Sequence, residues 1–298
     1  PIQEQAIPPM LDGKDVIGQA QTGSGKTAAF GLPIIEYVDP ELQEVQALVL
    51  TPTRELCIQV TQAIRAYAKP KGVDVVAVFG GAPIRSQQAQ LKGGGHVVVG
   101  TVGRVLDLIS RHSLVLHDCR FVVLDEADEM LDLGFLPDVE RILEQITGER
   151  QTMLFSATMP GPVVAMARRF MKQPTHIRAE EPDENRTVPN TKIFVYRAHS
   201  MDKGEVLARI LQAEGRGLTM VFCRTKRTCD KVAADMVDRG FAAAAVHGDL
   251  GQGAREQALR AFRAGKIDVL VATDVAARGI DVADVTHVVN YQCPEDEK

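Results

Sequence analysis

From residue 16 to residue 155 the chain alternates short apolar runs with longer amphipathic stretches. The runs are Val16-Ile17, Ala47 to Leu50, Val73 to Phe79, His96 to Val99, Phe121 to Leu124 and Met153 to Phe155. Alternation of this kind predicts βαβ units and a parallel sheet covered by helices on both faces. Between Ala179 and Asn190 the pattern lapses into a charged, proline-bearing stretch without periodicity, which reads as an interdomain linker. Beyond it the alternation restarts, with runs at Lys192 to Tyr196, Leu218 to Cys223, Ala242 to Val246, Val269 to Ala272 and Thr286 to Asn290. The predicted class is α/β, in two tandem domains: residues 1–180, a linker at 181–190, and residues 191–298.

The polar, glycine-containing clusters come directly after these runs. In an open α/β sheet that gathers them outside the carboxyl ends of the strands, where ligands bind. The first cluster is Ala20-Gln21-Thr22-Gly23-Ser24-Gly25-Lys26-Thr27, set between Val16-Ile17-Gly18 and Ala28-Ala29-Phe30. Strand, glycine loop and helix in that order are the context of a phosphate-binding loop. Gly23 and Gly25 let the backbone turn tightly and aim several N–H groups at one point. Lys26 adds a positive charge there, and Thr27 a hydroxyl suited to Mg²⁺. The expected ligand is the β,γ-phosphate end of a nucleotide, although Ala20 stands where the common form of the loop opens with glycine.

After the run Phe121 to Leu124 comes Asp125-Glu126-Ala127-Asp128. An acidic residue at a strand end beside a phosphate loop can hold Mg²⁺ through water, which suits Asp125. Glu126 is placed to polarise the water that attacks the γ-phosphate.

Composition narrows the setting. A chain of 298 residues, 45% apolar and 24% charged, has the make-up of a globular protein with room for two cores. No apolar run approaches the roughly 18 to 20 residues needed to span a bilayer, and no signal peptide is visible. Cys57, Cys119, Cys223, Cys229 and Cys293 match no zinc or CxxC spacing and are expected to be reduced thiols in a cytoplasmic protein. The net charge of −5 gives no overall attraction to a polyanion. Residues 191–298 carry 16 basic and 15 acidic side chains, so the first part of the chain holds the whole deficit. Any nucleic acid must be held by local clusters.

With these residues in hand, the chain resembles the helicase core of a DEAD-box ATP-dependent RNA helicase over nearly its whole length. Asp125 to Asp128 spell the family's name, and the resemblance implies RecA-like folds for both domains. Pro1-Ile2-Gln3 resembles the end of the family's adenine-reading motif, which implies that Gln3 selects ATP. Pro52-Thr53-Arg54-Glu55-Leu56, Gly80-Gly81 and Thr101-Val102-Gly103-Arg104 resemble the three RNA-contacting elements of the first domain, with Val102 in place of the usual proline. Their hydroxyls, backbone N–H groups and arginines suit sugar and phosphate rather than base edges. Ser156-Ala157-Thr158 resembles the coupling motif, whose hydroxyls are expected to bond Asp128.

In the second domain Val221-Phe222-Cys223-Arg224-Thr225-Lys226 resembles the motif at the first phosphate-facing turn, where Arg224, Lys226, Arg227 and Lys231 form a basic cluster. His247-Gly248-Asp249 with Gln252 and Arg255 matches HGDxxQxxR. Thr273 to Asp281 matches a further motif, which implies Thr273, Asp274 and Arg278 near RNA and Asp281 near the ATP ribose. The family's arginine motif HRxGRxxR is expected shortly after Pro294, past Lys298. A chain beginning at Pro1 and lacking that motif reads as a fragment that binds ATP weakly and hydrolyses it poorly. Two other readings stay open on these residues: a DNA translocase of the same superfamily, and a non-catalytic RNA clamp.

Overall fold

β-Branched and small apolar residues dominate the predicted strands, and successive side chains on a strand point to opposite faces of its sheet. Both faces are covered here. In the first unit Leu48, Leu50, Val98, Val122 and Leu154 enter one core. Their neighbours Val49, Val97, Val99, Val123 and Met153 enter the other. The computed structural model describes residues 2–21, 23–179, 192–273, 282 and 284–292, without the side chain of Gln252. The chain divides into two compact units, Pro1–Arg186 and Thr187–Lys298.

The first unit begins with α1 (Ile2–Leu11), β1 (Val16–Gln19), α2 (Lys26–Tyr37), β2 (Ala47–Thr51) and α3 (Arg54–Ala68). It continues with β3 (Val75–Val78), α4 (Ile84–Lys92), β4 (Val97–Thr101), α5 (Val102–Ser110) and β5 (Phe121–Asp125). It closes with α6 (Ala127–Asp132), α7 (Leu136–Glu144), β6 (Gln151–Ser156), α8 (Gly161–Phe170) and β7 (Thr175–Arg178). Its seven strands are ordered β3-β4-β2-β5-β6-β1-β7, and every pairing is parallel.

That order sorts the clusters. Pro52 to Arg54, Gly80-Gly81 and Thr101 to Arg104 follow β2, β3 and β4, one half of the sheet. The phosphate loop, Asp125-Glu126 and Ser156 to Thr158 stand at the ends of β1, β5 and β6, three adjacent strands of the other half.

The second unit comprises α9 (Lys203–Leu211), β8 (Leu218–Phe222), α10 (Lys226–Asp238), β9 (Ala243–Val246), α11 (Gln252–Arg263), β10 (Val269–Ala272) and β11 (Val285–Asn290). Its described strands form a parallel sheet of order β11-β8-β10-β9. Val269 and Val271 face one core, Leu270 and Ala272 the other. The linker expected at residues 181–190 lies outside the described residues.

Two expectations about strands need correction. Lys192 to Tyr196 forms no strand, and Ile193, Phe194, Val195 and Tyr196 are all exposed. An apolar run with no ladder partner gains nothing from its strand-like composition. Conversely β7, Thr-His-Ile-Arg, escapes notice because it borders the sheet, pairs only with β1 and buries only Ile177.

Candidate functional site

At the end of β1 the chain turns through Gly23 (φ 82°) and Gly25 (φ 88°) into α2. This left-handed backbone is open to glycine without strain. A Cβ on Gly25 would also lie 2.5 Å from the Gln3 amide nitrogen, which donates to the Gly25 carbonyl at 3.3 Å. Gln3 therefore reaches the loop from α1. Ser24 Oγ donates to the Gln21 carbonyl at 2.7 Å, and the Ala20 N–H donates to the Ser156 carbonyl at 3.0 Å. Thr22 lies outside the described residues. Thr27 is half-buried in the first turn of α2.

Lys26 is 6% exposed, yet its Nζ has no hydrogen-bond partner. Asp125, at the end of β5, is 2% exposed, and its Oδ1 likewise has none. Burial pushes the Asp125 carboxyl up to about 7, against the pull of the Lys26 charge and with a push from Glu126. Two buried, opposite, unsatisfied groups are costly to leave so, by about 1–3 kcal/mol or more each. They match a ligand that brings anionic oxygens to one and a cation to the other. Among the described residues no cluster of three or more His, Cys, Asp or Glu could hold a metal by itself. The donor set fits a hard cation that takes most of its ligands from phosphate and water. Glu126 is buried and adopts φ 56°, a left-handed conformation that costs a non-glycine residue on the order of 1–3 kcal/mol.

Asp128 connects this end to Ser156-Ala157-Thr158. Its Oδ2 accepts from the Thr158 hydroxyl and the Thr158 N–H, both at 2.8 Å. Burial works against its charge, but the bonds from Thr158 prevail and hold the carboxyl below its ordinary range. The expected Ser156 contact differs in detail. Ser156 Oγ accepts from the Asp128 backbone N–H at 3.1 Å and donates to the Thr158 carbonyl at 2.7 Å.

On the other half of the sheet, Pro52 is buried and Thr53 caps α3, its Oγ1 accepting from the Leu56 N–H at 3.3 Å. Arg54 lies over the Phe79 ring, 4.5 Å from its centroid. Gly80 and Gly81 are exposed, with Gly81 at φ 76°. Thr101 precedes α5 and Gly103 is exposed in its first turn. Arg104 Nη1 donates to the Ala82 carbonyl at 3.1 Å and to Gln87 Oε1 at 2.9 Å. Val102, in place of the family's usual proline, is the fully buried first residue of α5, so packing holds it instead of a ring.

In the second unit Arg224 is exposed after β8, and its N–H donates to Gln292 Oε1 at 3.1 Å. His247 is buried after β9, with Nε2 2.8 Å from Asp230 Oδ1, and Gly248 follows it at the surface. Arg255 is half-buried on α11, and Thr273 is buried after β10. Lys226 is ion-paired with Asp249, so the expected basic cluster is weaker than its sequence suggests. Asp274, Arg278 and Asp281 lie outside the described residues.

Sequence reading missed Gln87, a buried side chain that joins two of the predicted clusters. Its signal was faint: Ile84, Gln87 and Leu91 share one helical face, on which glutamine is the odd polar member.

A phosphate loop, an acidic strand end and a hydroxyl motif on adjacent parallel strands, followed by a second parallel sheet, define a two-domain P-loop protein of RecA-like fold. The DEAD/DEAH box helicase model matches residues 1–167 and the helicase conserved C-terminal domain model residues 202–298; the chain belongs to the DEAD/DEAH box helicase family. It is 50% identical over 296 residues to the ATP-dependent RNA helicase CshA of Listeria monocytogenes, covering 99% of this chain and 56% of that protein. It is 49% identical to the DEAD-box ATP-dependent RNA helicase CshA of Geobacillus kaustophilus, covering 99% of this chain and 63% of that one. The chain thus spans little more than half the length of these relatives. Among solved structures, Saccharomyces cerevisiae Dbp5 bound to RNA and ADP BeF3 matches with a TM-score of 0.87 at 32% identity, covering 98% of this chain and 74% of that one. A DEAD box protein of Methanococcus jannaschii matches with a TM-score of 0.58 at 40% identity, covering 99% and 79%.

Proposed function

We propose that the chain is the motor core of an ATP-dependent RNA helicase, one that hydrolyses ATP when RNA is bound and uses the cycle to open short duplexes or remodel RNA–protein complexes. The observation that carries this reading is the pair of buried, unpartnered groups, Lys26 Nζ and Asp125 Oδ1, at the carboxyl ends of strands whose sheet also leads into Arg54 and Arg104. The backbone of Ala20 to Thr27 and the Lys26 ammonium hold the β- and γ-phosphates, and Gln3 reads adenine. Asp281 is assigned to the ribose on family resemblance alone. Thr27 and Asp125 hold Mg²⁺, which when bound supplies charge neutralisation on the phosphate oxygens. Glu126 orients and polarises the attacking water.

Single-stranded RNA is held through phosphate and sugar by Pro52, Thr53, Arg54, Gly80, Gly81, Thr101, Gly103 and Arg104. The second unit adds Arg224, His247, Gly248, Gln252, Arg255, Thr273, Asp274 and Arg278. Asp128, Ser156 and Thr158 tie the two halves of the reaction, so each ligand raises the affinity for the other. A cytoplasmic setting belongs to the same proposal, supported by the buried free thiols of Cys57 and Cys119. The test is Glu126→Gln. Removing the base should cost on the order of 10² to 10⁴ in ATP turnover while ATP and RNA binding persist. Unchanged turnover would remove Glu126 as the catalytic carboxylate.

A further inference from the structure

The three clusters assigned to RNA in the first unit meet at one short loop, residues 79–82. Arg54 covers the Phe79 ring, Gly80 and Gly81 form the turn, and Arg104 bonds the Ala82 carbonyl. A residue outside all three clusters closes the arrangement. Gln87, on α4, is 4% exposed; its Nε2 donates to the Phe79 carbonyl at 3.0 Å and its Oε1 accepts from Arg104 at 2.9 Å. Both ends of the amide are therefore used, as a buried polar side chain requires. The carbonyl needs the amide nitrogen and the guanidinium needs the amide oxygen, so these two partners set the orientation of the amide.

The choice of a neutral partner has a consequence for charge. Arg111, Arg141, Arg169, Arg209 and Arg239 each give their guanidinium to a carboxylate. Arg104 gives Nη1 to an amide oxygen and a carbonyl, and among the described residues no carboxylate pairs with it. It is held in place with its full positive charge, and Nε and Nη2 remain for a phosphate. A fixed, uncompensated guanidinium loses less conformational entropy on binding an anion than a free one.

We infer that Gln87 is a positioning residue for RNA binding, one that locks Arg104 to the loop at residues 79–82 without neutralising it. The inference rests on the proposed reading of Arg104 as a phosphate contact. It is tested by a double-mutant cycle on single-stranded RNA affinity in the presence of ATP·Mg²⁺, using the wild-type protein, Gln87→Met, Arg104→Ala and the double variant. Gln87→Met should weaken RNA roughly 3- to 10-fold in the wild-type background and have no further effect once Arg104 is gone. RNA-free nucleotide binding should be unchanged by Gln87→Met. Multiplying penalties in the double variant, or full RNA affinity in Gln87→Met, would overturn the inference and leave the proposed function standing. If Arg104→Ala binds RNA as well as wild type, the reading of Arg104 itself fails. Should Gln87→Met not fold, Gln87→Glu serves. It keeps an acceptor for Arg104 but offsets its charge, so the salt dependence of RNA binding should become shallower by roughly 0.7 in slope, one single-strand phosphate contact. An unchanged slope would contradict it.

Discussion

At the scale of single residues, the coupling motif makes the sharpest claim. Asp128 is kept charged against burial chiefly by Thr158, which bonds it through hydroxyl and N–H. Thr158→Val removes the hydroxyl bond and keeps the shape and the backbone bond. A hydrogen bond to a charged group contributes about 1.5–3 kcal/mol, enough to cut the RNA-stimulated to basal ATPase ratio roughly 10-fold or more. ATP affinity measured without RNA should stay the same. An unaltered ratio would show that this bond is structural only. Lys26, Asp125 and Asp128 were legible in the sequence because each belongs to a contiguous motif whose chemistry repeats its spacing. Gln87 was not, because its meaning lies in contacts to Phe79 and Arg104, far off along the chain.

Among elements, the order of the first sheet does what the strand pattern alone could not. Alternating apolar runs predicted parallel strands with their functional loops at the carboxyl ends. They could not say that β3, β4 and β2 would carry one set of clusters and β5, β6 and β1 the other. Edges were the weak point, since β7 has little apolar signal and Lys192 to Tyr196 has the signal without a partner. At the opposite end of the strands, Asp15 pins three segments together. Its carboxylate is 5% exposed and accepts from the Thr152 N–H at 2.7 Å and the Lys172 N–H at 2.6 Å, joining the lead-in to β1 with β6 and the α8–β7 turn. Asp15→Ala leaves the buried Thr152 N–H unpaired, at about 1–3 kcal/mol. Urea unfolding should register that loss, while RNA stimulation of the remaining folded protein holds; a midpoint equal to wild type would contradict it.

For the molecule as a whole, the proposed function requires that nucleotide and RNA be linked thermodynamically. Contacts of the proposed kind, to sugar and phosphate, read strand chemistry rather than base sequence. No helix among the described residues is long and apolar enough to cross a membrane, and the net charge of −5 leaves polyanion binding to local clusters. The most direct test is ATP turnover measured with single-stranded RNA and with DNA of the same length and sequence, the ratio to the nucleic-acid-free rate being the readout. RNA should raise turnover roughly 10-fold or more, a barrier change of about 1.4 kcal/mol, while DNA leaves it near the basal rate. Equal stimulation by both, or stimulation by DNA alone, would contradict the account.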